Sequence, residues 1–389
     1  MKRERVIIPE CEYKARVEKA QQMLQEAGWS GMVLSAESNM HYYTGYRTHL
    51  PWGTFTRPMF LFLPAEGTPI VYTQGFVTQE AIARAPHLVH RSFMSMLGPT
   101  PQELYELMEE VHMTQGIVGF EVGHEQRINY QVDTYLALTK LLDKVEVADA
   151  SKILWKQRII KSPKEIECHK RACEATSYAF DRIFEEVCEG MDEFEITNIV
   201  RRAMLQGGAD KDGFVIITAG PGNYNRTSSV SSNRRLQKGD MLWLDLGCEY
   251  EGYYSDFCRA GIVGPVDDQR KRMQEDVYKA TMEAGAKIRP GLAVKDLAKA
   301  CGYGLESRGY EVVYDFGRLG HGMGLVSTEP PSVTIFEEGE LQAGMIINIE
   351  PTFINEKGVF CLEENYVVTE DGAYCMSGSS RELHSIPTL

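Results

Sequence analysis

The sequence MLWLDLGCEYEGYYSDFCRAGIV spans residues 241–263 and contains two apolar-rich runs joined by the polar loop EYEG at 249–252. This pattern predicts a β-hairpin. Asp245 and Asp256 are equidistant from the centre of the loop. Residues paired symmetrically across a hairpin project their side chains from the same face, so the two carboxylates are predicted to meet.

A second segment, MIINIEPTFINEKGVFCLEENYVV at 345–368, repeats the arrangement around the loop NEKG at 355–358. Glu350 and Glu363 are equidistant from the centre of this loop. Opposed like charges destabilise a strand pair unless something neutralises them, and a divalent cation would do so. Alternatively, each acid lies on a half-exposed surface or pairs with an arginine such as Arg259. Four acids in two mirrored hairpins favour a metal site.

An imidazole ligand is suggested by the segment FGRLGHGMGLVSTEPPSV at 316–333, where His321 stands between two glycines. Glycine lets the backbone approach a ligand closely. A lone histidine is more often a packed or surface residue than a ligand, but the neighbouring acids change this balance. Carboxylates with one imidazole suit transition-metal ions such as manganese, iron, cobalt or zinc better than magnesium or calcium.

The composition of the chain indicates a soluble globular protein of about two domains. It has 389 residues, of which 43% are hydrophobic and 25% charged. The net charge of -14 argues against a nucleic-acid or anionic-membrane partner, because clustered Lys and Arg bind both. The N-terminus lacks the apolar core of a signal peptide and no window suits a membrane span, so we expect a cytoplasmic protein. The nine cysteines form no CxxC pair and are expected to be reduced thiols.

Two domains are predicted, at residues 1–148 and 149–389. The first has a helix within 12–28 that ends at Gly28, followed by a strand hairpin formed by MFLFLP and PIVYT, and is predicted to be α/β. The second enters through a long helix with Ser162 as N-cap and Pro163 in its first turn. Its later helices and hairpins are mixed, which predicts an α+β domain.

The order of these motifs resembles that of the superfamily of methionine aminopeptidase, prolidase, aminopeptidase P and creatinase, which is peptidase family M24. The resemblance is carried by LDLGCEYEGYYSDFCRA, GHGMGL with TEPP, INIEP and LEENYVVTEDG. The segments SNMHYYTGY and RIIKSPKEIE are similar to the creatinase/prolidase N-terminal domain and to the entry of its catalytic domain. The resemblance implies an α/β N-terminal domain followed by an α+β pita-bread catalytic domain.

The resemblance also implies a site with two divalent transition-metal ions. Asp245, Asp256 and Glu363 would hold one ion. Asp256 and Glu363 would bridge to a second ion that His321 and Glu350 also bind, with a water or hydroxide between the ions. Glu350 and His321 would be the catalytic residues, and Glu350 would shuttle a proton. The implied activity is metal-dependent hydrolysis of a C–N bond in a dipeptide-like, Xaa-Pro-like or other small carboxylated substrate.

The substrate-binding positions depart from the family pattern. Thr328 occupies the place of a second histidine, and Cys361 occupies that of an arginine two residues before the last ligand. The glycine-rich loop after the strand FVIITAG offers only Asn225 and Arg226 where a histidine is usual. Ordinary peptidase activity is therefore expected to be weak. Thr328, Arg226 and Arg318 are the candidate substrate-binding residues in this domain.

The loop at 41–58 of the N-terminal domain supplies a further substrate-binding candidate, Trp52, beside His49 and Arg57. In relatives this domain helps to form a homodimer and reaches toward the neighbouring active site. The resemblance therefore implies a homodimer whose loop restricts the pocket to a dipeptide or another small molecule. Surface decoration of a long loop is the alternative.

Two other functions are compatible with the sequence. The Thr-Glu step after the GHG turn and the loop PWGTFTRPMF resemble, more loosely, the dimethylsulfoniopropionate lyases of the same superfamily. That branch uses an aspartate where this chain has Gly247 and a tyrosine where it has Phe316. A metal-dependent lyase acting on a small zwitterion is therefore the first alternative. A non-catalytic binding scaffold is the second, and retention of all five ligands counts against it.

Overall fold

A computed structural model of the protein describes residues 4–48, 58–312 and 317–389. The chain divides into two compact units. The first is Ile7–Arg158, and the second is Ile159–Leu389 together with the N-terminal residues up to Val6.

The first unit is built on a mixed sheet with the strand order β4-β3-β2-β1-β5-β6. Strands β1 and β2, and β2 and β3, are antiparallel, whereas β1/β5, β3/β4 and β5/β6 are parallel. The predicted hairpin of MFLFLP and PIVYT is confirmed as β2 and β3. The elements are α1 Glu10–Glu26, β1 Gly31–Leu34, α2 Glu37–Thr44, β2 Phe60–Pro64, β3 Ile70–Gln74, α3 Thr78–Arg84, β4 Val89–Phe93, α4 Pro101–Glu110, β5 Gly116–Phe120, α5 Val132–Leu141, β6 Val145–Asp149 and α6 Ser151–Arg158.

Helix α6 belongs to the first unit, whereas the sequence placed the domain boundary before it, after residue 148. The guanidinium of Arg158 donates from Nη1 to Asn39 Oδ1 at 2.6 Å, and Gln157 Nε2 donates to the carbonyl of Arg16 at 3.2 Å. These buried polar contacts attach α6 to helices α1 and α2. The division of the chain therefore falls between Arg158 and Ile159.

The second unit contains two larger sheets and a short two-stranded ribbon. One sheet has the order β18-β10-β8-β7, with β9 pairing β8, and the other has the order β12-β11-β13-β16-β17. Strands β14 and β15 form the ribbon. The elements are α7 Pro163–Glu186, α8 Glu193–Gly207, β7 Lys211–Ala219, β8 Met241–Tyr250, β9 Tyr253–Tyr254, β10 Phe257–Val263, α9 Asp268–Gly285, α10 Val294–Glu306, β11 Gly320–Gly322, β12 Glu329–Ser332, β13 Ile346–Ile349, β14 Thr352–Asn355, β15 Gly358–Cys361, β16 Glu364–Val368, β17 Ala373–Cys375 and β18 His384–Ile386.

Helix α7 begins at the predicted signal. The side chain of Ser162 accepts the N–H of Glu165, whose carboxylate accepts the N–H of Ser162, so two otherwise unpaired backbone donors are satisfied. Helices α7 and α8 pack together and contact β8 and β7, while α9 packs on α10 and β15. None of the helices within the described ranges is both long and apolar enough to cross a membrane.

Candidate metal centre

The first hairpin has a different register from the predicted one. Tyr250 pairs with Tyr253 across the turn, and Asp245 pairs with Cys258. The predicted direct pairing of Asp245 with Asp256 is therefore wrong. Alternate residues of a strand share a face, so Asp256 still projects from the same face as Cys258. The side chains of Asp245 and Asp256 consequently remain within hydrogen-bonding reach of each other.

The second hairpin has the predicted register. Ile349 pairs with Glu364 on one side, and Thr352 pairs with Cys361 on the other. Both pairs are symmetric about the centre of the loop at 355–358. Glu350 and Glu363 thus occupy opposed positions in the gap between the β13/β16 and β14/β15 ladders.

His321 lies on the short strand β11, between β12 and β13. A Cβ on Gly320, whose φ is +150°, would lie 2.1 Å from the carbonyl oxygen of Asn348, so only glycine fits there. The Nδ1 atom of His321 is 2.9 Å from the carbonyl oxygen of Gly322. A carbonyl only accepts hydrogen bonds, so Nδ1 carries the proton and the Nε2 lone pair is available for a metal.

All five predicted ligands are brought together. Ligand atoms of Asp256, His321 and Glu363, which are all buried, lie within 4.8 Å of one another. His321 Nε2 is 3.4 Å from Asp256 Oδ2 and 3.9 Å from Glu350 Oε1. Asp245 lies beside this group, because the carboxyl groups of Asp256 and Glu363 both act on its pKa. Two hairpins and one short strand therefore converge on one acidic cluster.

The electrostatics of this cluster favour a bound cation. Burial raises the pKa of Asp256 and of Glu350 to about 7. Burial, and then the charges of the neighbouring acids, hold the pKa of Asp245 and of Glu363 well above the usual range. Burial lowers the pKa of His321 and keeps its imidazole neutral. Without a cation these groups would remain protonated or repel one another.

The donor set fits a divalent transition metal. The Oδ1 atom of Asp245 is buried and has no hydrogen-bond partner among the described residues. Such an atom is costly unless a ligand occupies its lone pairs. Hard carboxylate oxygens together with one imidazole nitrogen are the donors that manganese, iron, cobalt and zinc accept.

Arg259 does not neutralise the cluster, contrary to the alternative considered from the sequence. Its Nη2 group donates to Glu364 Oε1 at 3.0 Å. Its Nη1 group donates to the carbonyl oxygens of Cys258 and Glu363, at 2.7 and 3.1 Å. Arg259 thus binds the backbone carbonyl of Glu363, and no arginine among the described residues forms an ion pair with a predicted ligand carboxylate.

Two asparagines that the sequence analysis missed support the cluster. Asn348 and Asn365 are cross-strand partners and are completely buried. Asn348 Nδ2 donates to Glu363 Oε1 at 2.6 Å and to the carbonyl of Asp256 at 3.0 Å. Asn365 Nδ2 donates to the same carbonyl, and its Oδ1 accepts the N–H of Asp256 at 3.0 Å. The signal available in the sequence was a polar asparagine within each of the mainly apolar segments INIEP and ENYVV.

Two of the candidate substrate-binding residues contact each other. Arg318 Nη2 donates to Thr328 Oγ1 at 3.0 Å. The positive charge of Arg318 opposes the rise in the pKa of Asp256 and of Glu350, so its guanidinium lies near the cluster. Arg226 is exposed and donates to Asn223 Oδ1 at 3.3 Å.

The other predicted contributors to substrate binding fall on residues outside the described ranges. These residues are Trp52, His49, Arg57 and, for the lyase comparison, Phe316.

Cys361 belongs to an apolar cluster that also contains Cys258 and Trp243. The thiol of Cys258 donates to the carbonyl of Cys361 at 3.4 Å. The position where the family pattern has an arginine is therefore occupied here by a packed thiol, and an arginine would have to bury its charge among these side chains.

A buried ion pair that the sequence did not reveal lies next to Thr328. Lys161 Nζ is 3.5 Å from Glu329 Oε2, and both side chains are almost inaccessible to solvent. The pKa of the adjacent His169 falls to about 3, because of burial first and of the Lys161 charge second. The Lys161–Glu329 pair thus lies at the start of β12, immediately after Thr328.

Comparison with known proteins identifies two matching families. The family model for metallopeptidase family M24 matches residues 167–370, and that for the creatinase/prolidase N-terminal domain matches residues 16–160. The Xaa-Pro dipeptidase of Pyrococcus furiosus is 31% identical over 283 residues, which cover 72% of this chain and 78% of that protein. An uncharacterized peptidase of Bacillus subtilis is 26% identical over 369 residues, covering 95% of this chain and 99% of that protein.

Solved structures show the same architecture. A prolidase from Thermococcus sibiricus has a TM-score of 0.84 and 26% identity, and the match covers 97% of this chain and 99% of that one. A dipeptidase from Mycobacterium ulcerans has a TM-score of 0.84 at 24% identity, covering 98% of this chain and 99% of that one. These likenesses confirm the predicted fold, in which a pita-bread domain follows a creatinase/prolidase-type N-terminal domain.

Proposed function

Because the chain belongs to metallopeptidase family M24, we propose that it is a dipeptidase-like metallohydrolase that cleaves the C–N bond of an Xaa-Pro-like or other small carboxylated substrate. The observation that carries this proposal is the convergence of Asp256, His321 and Glu363 within 4.8 Å. A binding scaffold has no need for such a cluster, because buried acids destabilise a fold that holds no cation.

The proposed cofactor is a pair of divalent transition-metal ions, with manganese, iron, cobalt and zinc as the chemically suitable choices. Asp245, Asp256 and Glu363 would hold one ion. Asp256 and Glu363 would share the second with His321 and Glu350. When bound, such ions acidify water and polarise a carbonyl group.

The residues of the chain would position the substrate and move its protons. Glu350 has a side chain that is 28% exposed, against 8% for Asp256, so its carboxylate can reach a substrate atom and exchange a proton there. The imidazole of His321 is held by its Nδ1 bond to Gly322 and keeps a fixed orientation.

The Arg318–Thr328 pair is the proposed site for the substrate carboxylate. A guanidinium donates paired hydrogen bonds to a carboxylate, and the hydroxyl of Thr328 already orients it at 3.0 Å. Trp52, in the loop at 41–58, remains a predicted substrate contact. Arg226 remains a second predicted cation, for which no contact to the acidic cluster is found among the described residues.

The proposal is tested by assaying metal-reconstituted protein against Xaa-Pro dipeptides, other dipeptides, creatine-like amides, and sulfonium or ammonium propionates. We expect amino-acid release from a dipeptide, and none after Asp256→Ala or Glu363→Ala, which should also lose metal. Turnover of a propionate with elimination of its leaving group, and no amide cleavage, would establish the lyase alternative instead.

A paired kinetic comparison tests the substrate-binding residues. Arg318→Met should raise KM roughly tenfold or more with metal content unchanged, because a charge-assisted bond to the substrate is lost. Arg226→Met, at the second candidate cation, is the comparison and should raise KM less than Arg318→Met does. If Arg226→Met raises KM more than Arg318→Met does, the carboxylate site would be assigned to Arg226 instead.

Thr328→His tests whether the missing histidine limits Xaa-Pro cleavage, and it should increase kcat.

We further propose a cytoplasmic homodimer. All nine cysteines are free thiols, eight of them at least partly buried, which suits a reducing compartment. The dimer follows from the family resemblance, and light scattering of the purified protein tests it.

A further inference from the structure

A cavity of about 600 Å³ lies between helix α9 and the C-terminal segment that precedes β18, apart from the metal cluster. Its polar wall is formed by Lys271, Gln274, Glu275, Tyr278, Arg381 and Glu382. The volume is within the range of small-molecule sites. Lys271, Glu275 and Glu382 form no ion pair with any residue that the structure describes, so both signs of charge are available to a ligand.

Gln274 supplies a buried acceptor in this wall. The residue is only 5% exposed, and its Nε2 group donates to the carbonyl of Arg381 at 3.1 Å. Its Oε1 atom is buried and has no hydrogen-bond partner within the described part of the chain. A buried amide oxygen is normally satisfied, so this atom indicates a missing donor.

Arg381 supplies a hydrogen-bond donor in the same wall of the cavity. Its Nε atom donates to Glu364 Oε1 at 2.7 Å, and its Nη2 atom donates to the carbonyl of Ser377 at 3.1 Å. No bond from Nη1 is found to any described residue, and 29% of the side chain is exposed. The guanidinium is thus fixed on one edge and has an open edge at the cavity.

We propose that this cavity is a regulatory site for a small zwitterion with one carboxylate and one ammonium group, such as a free amino acid. The carboxylate would accept hydrogen bonds from Arg381 Nη1 and Lys271. Glu275 and Glu382 would neutralise the charge of the ammonium, which would donate to Gln274 Oε1 once the Gln274 side chain turns this atom toward the cavity. Two cations and two acids in the wall match a ligand whose net charge is zero.

The site is linked to the metal cluster through three consecutive contacts. Glu364 Oε1, which is completely buried, accepts from both Arg381 Nε at 2.7 Å and Arg259 Nη2 at 3.0 Å. Arg259 Nη1 in turn donates to the carbonyl of Glu363 at 3.1 Å. A ligand carboxylate bound at Nη1 would share the positive charge of Arg381 with Glu364 and so weaken the attraction between Arg381 and Glu364. The ligand should therefore weaken metal binding, and metal should weaken ligand binding to the same extent.

Calorimetric titration of the Mn²⁺-loaded full chain with L-alanine tests the site without an activity assay. Lys271→Gln and Gln274→Met should each weaken L-alanine binding roughly tenfold, since each removes one hydrogen bond to a charged group. Lys279→Gln, on the same helix but outside the cavity, is the matched control and should bind as the wild type does. Acetate and ethylammonium, which each carry half of the zwitterion, should bind more weakly than L-alanine.

The regulatory link is tested by the Mn²⁺ affinity with and without saturating L-alanine. L-Alanine should weaken Mn²⁺ binding in the wild type and in Lys279→Gln, and not in Lys271→Gln. Either of two results would overturn the proposal: L-alanine affinity that is equal in all four proteins, or an Mn²⁺ affinity that L-alanine does not change. The regulation concerns the metal centre of the proposed function, but both readouts remain valid if the enzyme cleaves no tested peptide.

Discussion

His169 is a completely buried histidine on helix α7. Its Nδ1 group donates to the carbonyl of Tyr254 at 2.6 Å, just before the segment that carries Asp256. Burial and the charge of Lys161 lower its pKa from 6.5 to about 3. Between these two values the unfolded chain binds a proton that the folded chain does not.

His169 should therefore make the protein less stable as the pH falls from 6.5 toward 3, and its contribution is fully present above pH 6.5. The loss amounts to roughly 1.4 kcal/mol per pH unit at most. In His169→Asn, whose Nδ2 can still donate to Tyr254, this contribution to the pH dependence of the free energy of unfolding should disappear. Urea unfolding at several pH values checks it. Equal slopes for the two proteins would contradict the shifted pKa.

At the scale of elements, Arg259 connects β10 and β16, the strands that directly follow Asp256 and Glu363. It lies on β10 and bonds to the carbonyl of Glu363 and to the side chain of Glu364, at the start of β16. The aromatic rings of Phe257 and Phe180 lie 5.0 and 5.9 Å from its guanidinium carbon. Because it touches no ligand carboxylate through an ion pair, we regard it as a positioning residue.

Arg259→Lys should preserve the buried charge and the fold but weaken metal binding at least tenfold, since a lysine cannot serve both a carbonyl and Glu364 in the planar geometry of arginine. The KM for substrate should change less than the metal affinity does. Arg308→Lys is the control, because Arg308 pairs with the exposed Glu283 at 2.6 Å. Calorimetric titration of each variant with Mn²⁺ measures the two metal affinities. Unchanged metal affinity in Arg259→Lys would leave the residue a purely structural role.

At the scale of the whole molecule, the acidic cluster joins the two sheets of the second unit. Asp245 lies on β8 of one sheet and His321 on β11 of the other. Repulsion among the buried acids therefore opposes the packing of the sheets, and a bound cation removes this opposition.

Chelation should accordingly lower the Tm, and re-addition of Mn²⁺ should restore it. A free Mn²⁺ concentration of a hundred times the Kd stabilises the folded state by about 2.7 kcal/mol. Glu363→Gln provides the informative contrast, because it removes one charge while Gln can still accept from Asn348. The metal-free variant should be more stable than the metal-free wild type and gain less from Mn²⁺. A lower Tm of the metal-free variant would mean that repulsion does not limit the stability of the cluster.

The features that the sequence determined by itself depend on residues close together in the chain. The capping box of Ser162 and Glu165 and the turn at 355–358 each involve a few neighbouring residues, so helix α7 and the opposition of Glu350 and Glu363 could be predicted. The five proposed metal ligands were also predicted from local motifs whose order resembles that of a known family.

Only the tertiary structure decided which remote groups meet. The first hairpin has its turn one position later than the symmetric prediction, because Tyr250 and Tyr253 pair around a glycine with φ of +81°. Whether Arg259 pairs with a metal ligand or with Glu364, and whether Asn348 reaches Glu363, depends on the packing of β10, β13 and β16. Burial makes each of these pairings necessary, but the choice of partner is set by distances between strands, which no local pattern of residues encodes.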